Sequence, residues 1–186
     1  MTSTKAFNLT QIEKGVQLIL RGLQLDPKDE NFVDTPERYA RFLVEMFQQK
    51  EVPYVTFPEV YSDFILFKHH TMHSLCPHHL LPVEFEASVA YVPTTEVLGL
   101  SKLVRILNDV NDRPLLQEHF TKEVVARLYH YVPSIKGAAC YVDGQHGCTK
   151  IRGVRSEGRF VTYHLEGDFK EQVELERRFF DLVLHR

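Results

Sequence analysis

One short stretch of the sequence is rich in side chains that bind transition metals. Residues 73–82 read His-Ser-Leu-Cys-Pro-His-His-Leu-Leu-Pro, which places Cys76, His78 and His79 within four positions. Thiolate and neutral imidazole are the ligands that Zn²⁺ prefers, and one bend of the backbone can present both. This spacing predicts part of a zinc site.

A second stretch supplies the remaining candidate ligands. If residues 140–148 are extended, His146 and Cys148 point to the same side, because side chains alternate along a strand. A structural site needs four ligands, and the single residue between His146 and Cys148 is a tight spacing for two of them. Cys76, His79 and Cys148 would instead leave a fourth position for water, as in a catalytic zinc site.

A simpler interpretation applies to each of these side chains. A buried cysteine is most often an apolar core residue, and a lone histidine is most often a surface or satisfied core residue. We expect Cys140 to lie in the core. The additional histidines near the first stretch, His69, His70 and His73, are expected to be mainly structural, with one of them a candidate to support a metal ligand.

Composition narrows the class of protein. The chain has 186 residues and a net charge of −3, without the basic runs typical of proteins that bind nucleic acid or membranes. Its three cysteines are few and widely spaced, which favours reduced thiols or metal ligands over disulfides. The first residues contain no apolar signal-peptide core, so we expect a cytoplasmic protein.

Hydrophobic periodicity predicts an α+β protein. We expect an N-terminal helical extension at 1–50, in which Thr35 caps the second helix, and a catalytic domain at 51–186. One strand, at 84–91, shows the alternation of a half-buried strand. The predicted elements are helices at 10–24, 35–47, 100–110, 116–131 and 170–184, a loop at 50–61, and strands at 64–67, 84–91, 137–148 and 160–165.

Five motifs in succession resemble those of the GTP cyclohydrolase I family. The likeness extends from about residue 10 to about residue 182, in the order and spacing of that family. The motifs are TPER at 35–38, CPHHL at 76–80, GLSKLVRI at 99–106, QEHFT at 117–121 and HGCTKIRG at 146–153.

The resemblance implies a fold, a metal and a reaction. The fold is the tunnelling fold, an antiparallel sheet with two helices on one face, whose sheets join between subunits into a barrel within a homodecamer. The metal is Zn²⁺ on Cys76, His79 and Cys148. The reaction opens the imidazole ring of GTP at C8, releases formate and forms 7,8-dihydroneopterin triphosphate, from which folate, tetrahydrobiopterin or 7-deazaguanine pathways begin.

The resemblance also assigns roles to individual residues. His146 matches the residue that protonates the imidazole ring, and His78 the one that assists ribose opening. Glu118, with backbone help near Gln117, matches the carboxylate that pairs with guanine at a site between subunits. The residues that match the triphosphate ligands are Ser101, Lys102, Arg105 and Arg152, with Arg38 reaching a phosphate from a neighbouring subunit.

Three departures from the family pattern leave room for other functions. Pro77 stands where the family usually has Glu, residues 156–164 replace a Ser/Thr-rich segment, and the short N-terminus predicts no feedback regulation through an extension. One alternative is a purine-ring hydrolase that stops at an earlier intermediate. Another is a non-catalytic protein that binds purines or pterins and whose zinc is structural.

Overall fold

The computed structural model describes residues 6–48, 53–58 and 63–185. The chain divides into two units, Met1–Glu51 and Val52–Arg186. Among the described residues, no helix combines the length and apolar character that crossing a membrane requires.

The N-terminal unit contains the two helices that the sequence predicts. α1 spans Leu9–Gly22 and α2 spans Thr35–Phe47. The two helices pack against each other, and Val16, Leu20 and Ala40 are buried. Amphipathic periodicity therefore identified both elements correctly.

The start of α2 differs by one residue from the prediction. Asp34, rather than Thr35, occupies the N-cap position, and Pro36 lies in the first turn. Arg38 forms an ion pair with Asp34 one turn away, at 2.9 Å, and its side chain is 75% exposed. An exposed pair of this kind contributes little to stability, so Arg38 is available for other contacts.

The second unit is built on an antiparallel sheet, which confirms the α+β prediction. Its four long strands lie in the order β2-β3-β5-β6, and β1 pairs separately with β4. The strands are β1 (Thr56–Phe57), β2 (Ile65–Leu75), β3 (Pro82–Val92), β4 (Val97–Leu98), β5 (Gly137–His146) and β6 (Phe160–Gly167). The helices are α3 (Leu100–Val110), α4 (Gln117–Tyr131), α5 (Gly147–Lys150), α6 (Asp168–Glu171) and α7 (Val173–Leu184).

Two helices, α3 and α4, cover one face of the sheet, as expected. The apolar row of β3, including Phe85 and Val89, is buried in one hydrophobic cluster with Leu107 of α3 and Val124 of α4. Cys140 of β5 is fully buried in the same cluster, which confirms that it is a core residue.

The prediction that β3 is only half-buried is wrong. Ala90 is fully buried, and Ser88 is 2% exposed, although both alternate with the apolar row. Part of the opposite face is covered by the C-terminal helices, because Ala90 shares a cluster with Phe169 of α6 and Phe179 of α7. Alternation within one strand does not reveal a second covering layer that small residues accommodate.

An irregularity in β2 keeps its apolar residues on one face. The pairing register with β3 shifts between Phe67 and His70, and His69 has a positive φ of 59°. Such a bulge inserts one extra residue and reverses the parity of the side chains that follow. Phe67 and Met72 consequently both pack on the cluster beneath α3 and α4.

Candidate active site

A tight turn between β2 and β3 holds the first metal-binding stretch. The Cys76 N–H donates to the carbonyl of Leu81 at 2.9 Å, and the Leu80 N–H donates to the carbonyl of Cys76 at 2.8 Å. Pro77 lies within this turn and provides neither hydrogen bond. The turn therefore forms although proline lacks an N–H, and it leaves the side chains of His78 and His79 exposed.

Strand pairing brings the second stretch beside this turn. Leu75, the last residue of β2, pairs with Pro82, and the next residue of β3, Val83, pairs with His146 at the end of β5. The two stretches are about 70 positions apart in sequence, yet they meet at one end of the sheet because β3 lies between β2 and β5.

The prediction of a continuous strand over residues 140–148 is wrong. β5 ends at His146, and Cys148 lies in the short helix α5. Gly147 allows this change of direction, because a Cβ at that position would lie 2.7 Å from the carbonyl oxygen of Pro82. His146 and Cys148 therefore belong to different elements and point to different partners.

Three predicted ligands come together. One potential ligand atom from each of Cys76, His79 and Cys148 lies within 4.8 Å of the other two. The Nδ1 atoms of His78 and His79 are both 3.8 Å from the Cys76 sulfur, but His79 is the one that completes the group with Cys148. Two sulfur donors and one imidazole suit a zinc ion.

The two thiols of this group influence each other's ionisation. Burial, and then the neighbouring Cys76, raise the pKa of the Cys148 thiol, whereas Arg152 lowers it. Two adjacent thiols resist ionising together unless a cation lies between them. Nη1 of Arg152 lies 2.5 Å from His79 Nε2, and Nδ1 of His79 faces the Cys76 sulfur.

His146 lies close to the metal-binding group in a partly apolar environment. Burial lowers its pKa, while the negative charge of Glu118 acts in the opposite direction. Its Nε2 is 2.9 Å from Oε1 of Gln117, and the ring of Phe160 meets it edge to face at 5.5 Å. A mainly neutral imidazole at this position can accept or donate a proton near pH 7.

Five of the predicted substrate ligands lie in the first turns of α3 and α4. Ser101 is exposed in the first turn of α3, and Arg105 is half-buried one turn later. Lys102 donates to the carbonyl of Pro53 at 2.7 Å. Glu118 is exposed in the first turn of α4, where the helix dipole favours a carboxylate.

Gln117 has a role that the sequence did not indicate. We expected it to contribute through its backbone, but its side chain is buried and hydrogen-bonded to His146. A glutamine in the first turn of a helix is normally exposed. Gln117 can be buried because Gly144 of β5 has no side chain and leaves space for the amide group.

The three additional histidines, His69, His70 and His73, all lie in strand β2. His69 lies 3.4 Å from the carboxylate of Glu86, and its backbone N–H donates to Ser88 at 3.2 Å. The carbonyl of His73 accepts a hydrogen bond from the side chain of Asn111 at 2.8 Å. These contacts agree with the expectation that these histidines have a mainly structural role.

Comparison with known proteins identifies the family. The GTP cyclohydrolase I family profile matches residues 12–184. The chain is 37% identical over 176 residues to GTP cyclohydrolase 1 of Sulfurihydrogenibium sp., covering 93% of this chain and 94% of that protein. It is 35% identical over 181 residues to GTP cyclohydrolase 1 of Aquifex aeolicus, covering 96% and 98%.

A solved structure gives a weaker match. The archaeosine synthase QueF-Like in its apo form is 19% identical, with a TM-score of 0.44, over 56% of this chain and 95% of that one. The match to the family profile covers most of the chain, and the relatives match along nearly their whole length. The chain therefore belongs to the GTP cyclohydrolase I family.

Proposed function

We propose that this protein is a zinc-dependent hydrolase that converts GTP and water into formate and 7,8-dihydroneopterin triphosphate. One water opens the bond from C8 to N9, and a second releases C8 from N7 as formate. Rearrangement of the ribose and closure of the new ring expel one water, so the reaction consumes one water overall. The observation that carries the proposal is the group of Cys76, His79 and Cys148 beside a mainly neutral His146.

Zinc fits the three ligands because of their chemistry and their spacing. Cys76 is almost fully buried, whereas His79 is exposed and Cys148 half-buried, so the group has a shielded side and an open side. When bound, zinc would lower the pKa of a coordinated water towards neutrality and so provide hydroxide at working pH. Three protein ligands leave a position for that water.

Two histidines supply the proton transfers. His146, mainly neutral at the start, would take a proton from the attacking water and donate it to the imidazole nitrogen of the substrate as the bond from C8 breaks. His78 is exposed in the same turn as His79, and it would assist opening of the ribose.

The substrate would be held at its two ends. Glu118 can accept hydrogen bonds from two N–H groups of guanine, a pair that adenine does not offer. The triphosphate would contact the cationic and hydroxyl groups at the start of α3 and beyond α5. These residues are Ser101, Lys102, Arg105 and Arg152.

We also propose that the chain functions in the cytoplasm as a homodecamer with its active sites between subunits. The edge strand β6 exposes Phe160, Val161 and Tyr163, with exposed fractions of 47%, 52% and 56%. Exposed apolar residues on a sheet edge favour pairing with another strand. In such an assembly, Arg38 would contact a phosphate bound at a neighbouring subunit.

The deciding experiment follows two products at once. Zinc-loaded protein is incubated with GTP, and formate is measured together with the pterin, which becomes fluorescent after oxidation. Both should appear in equal amounts. Formate without pterin would indicate a hydrolase that stops early, and GTP binding without either product would indicate a binding protein.

A matched variant tests the assignment of His146. We expect His146→Ala to retain zinc and to lose formate release, whereas His119→Ala, an exposed histidine of the same region, should retain both. Loss of zinc in His146→Ala would mean that His146 is a ligand instead.

A further inference from the structure

The side-chain amide of Gln117 can adopt only one orientation. Gln117 is 7% exposed, and its Nε2 donates to the carbonyl oxygen of Phe160 at 2.8 Å and, more weakly, to that of Val142 at 3.4 Å. Carbonyl oxygens only accept hydrogen bonds, so the NH₂ group must face them. The amide oxygen of Gln117 must therefore face the opposite direction.

That oxygen faces His146. The distance from Gln117 Oε1 to His146 Nε2 is 2.9 Å, which is a normal hydrogen-bond length. Because the oxygen can only accept, Nε2 has to carry the hydrogen. In the neutral ring, Nδ1 is then the nitrogen with the free electron pair.

A glycine makes this arrangement possible. Gly144 of β5 lies between Phe85 and Phe160 in the sheet. A Cβ at position 144 would overlap Oε1 of Gln117 and would also lie 3.3 Å from Cβ of Phe85. Any larger residue at 144 would displace the end of the Gln117 side chain, which is the flexible partner.

From these contacts we infer that Gln117 is a positioning residue, which fixes the tautomer and the ring orientation of His146 and leaves Nδ1 as the reactive nitrogen. This inference rests on the proposed function for the part that concerns the reaction. In that reaction, Nδ1 takes a proton from the attacking water and returns it to the purine nitrogen as the bond to C8 breaks. The histidine is therefore unchanged after the cycle.

Two variants remove the hydrogen bond by different routes. Gln117→Met keeps a side chain of similar length without polar atoms, and Gly144→Ala retains Gln117 but displaces its oxygen. Each should lower kcat about 10- to 100-fold with little change in KM, as is typical when the partner of a functional histidine is lost. The double variant should be no worse than either single variant, because both remove the same contact.

Asn111→Leu is the matched control. Asn111 is a second buried amide beside the small cavity that Gln117 and His146 also line, and it donates to the carbonyl of His73. Its loss should lower stability without changing the tautomer of His146.

The direct readout is solid-state ¹⁵N NMR of histidine-labelled, zinc-loaded protein, with the His146 signals assigned by their absence in His146→Asn. We expect a protonated Nε2 and an unprotonated Nδ1 in the parent protein, and a mixture of tautomers in Gln117→Met and Gly144→Ala. An unchanged tautomer in both variants would overturn the inference. If the parent protein shows the expected tautomer but does not turn over GTP, the proposed function fails while the positioning of His146 stands.

Discussion

The hydroxyl of Tyr91 accepts a hydrogen bond from the backbone N–H of Leu98 at 2.8 Å, in the interior of the protein. Tyr91 belongs to β3 and is fully buried, and its burial raises the pKa of the phenol. Leu98 ends β4, two residues before α3 begins. This bond therefore attaches the start of a proposed phosphate-binding helix to the centre of the sheet.

Tyr91→Phe should destabilise the protein by about 1–3 kcal/mol, because it leaves the buried N–H of Leu98 without a partner. Urea denaturation measures the change, and Tyr39→Phe, at an exposed tyrosine, is the control. We also expect a higher KM for GTP, since the start of α3 would be less firmly held. An unchanged unfolding midpoint would show that water replaces the hydroxyl.

Loss of a ligand should be distinguishable from loss of a core thiol. Cys148→Ala should abolish stoichiometric zinc binding, measured by elemental analysis, and reduce formate release to background. Cys140→Ala should retain zinc and cost about 1 kcal/mol of stability, because it only removes a buried sulfur. Zinc retained in Cys148→Ala would exclude the proposed ligand set.

The buried thiol of Cys140 should make the free energy of unfolding decrease at alkaline pH. Burial raises the pKa of this thiol above its ordinary value of 9.0, so the native state keeps the proton longer than the unfolded chain does. The stabilising contribution is complete below pH 9.0 and declines as the pH rises above it, by about 1.4 kcal/mol per pH unit. Comparison of the parent with Cys140→Ala isolates this slope, and parallel curves for the two proteins would contradict the prediction.

Glu118→Ala should weaken recognition of guanine. A charged hydrogen-bonding group contributes about 1.5–3 kcal/mol, so kcat/KM for GTP should fall about 10- to 150-fold. The preference for GTP over inosine triphosphate, which lacks the 2-amino group, should decrease at the same time. His119→Ala is the control, and a variant that keeps the full preference would show that another residue reads the base.

Local patterns predicted most of the elements of this fold. The periodicity of α3, α4 and the apolar face of β3 depends on which residues face the main core, and that information lies within each segment. Burial of a strand by a segment that is remote in sequence leaves no such pattern within the strand itself. Alternation of Ser88 and Ala90 suggested an exposed face, but Ala90 is buried in a cluster with residues of α6 and α7.

The metal-binding group could be predicted from residue chemistry, but its local geometry could not. Cysteine and histidine at close spacing indicate a metal whatever the backbone does between them. The turn at Gly147 depends on the carbonyl of Pro82, which is remote in sequence. The side chain of Gln117 likewise escaped prediction because its partners, His146 and Phe160, come from two other strands.

The extra residue in β2 has a consequence for how this gene can change over evolutionary time. Between Phe67 and Cys76, the side of the sheet that each residue occupies is set by counting from the irregularity at His69. A substitution there changes one side chain. An insertion or deletion of a single residue would move every later side chain of this segment to the opposite face of the sheet, including that of Cys76. A change in the length of this segment should therefore disturb the protein more than most single substitutions within it.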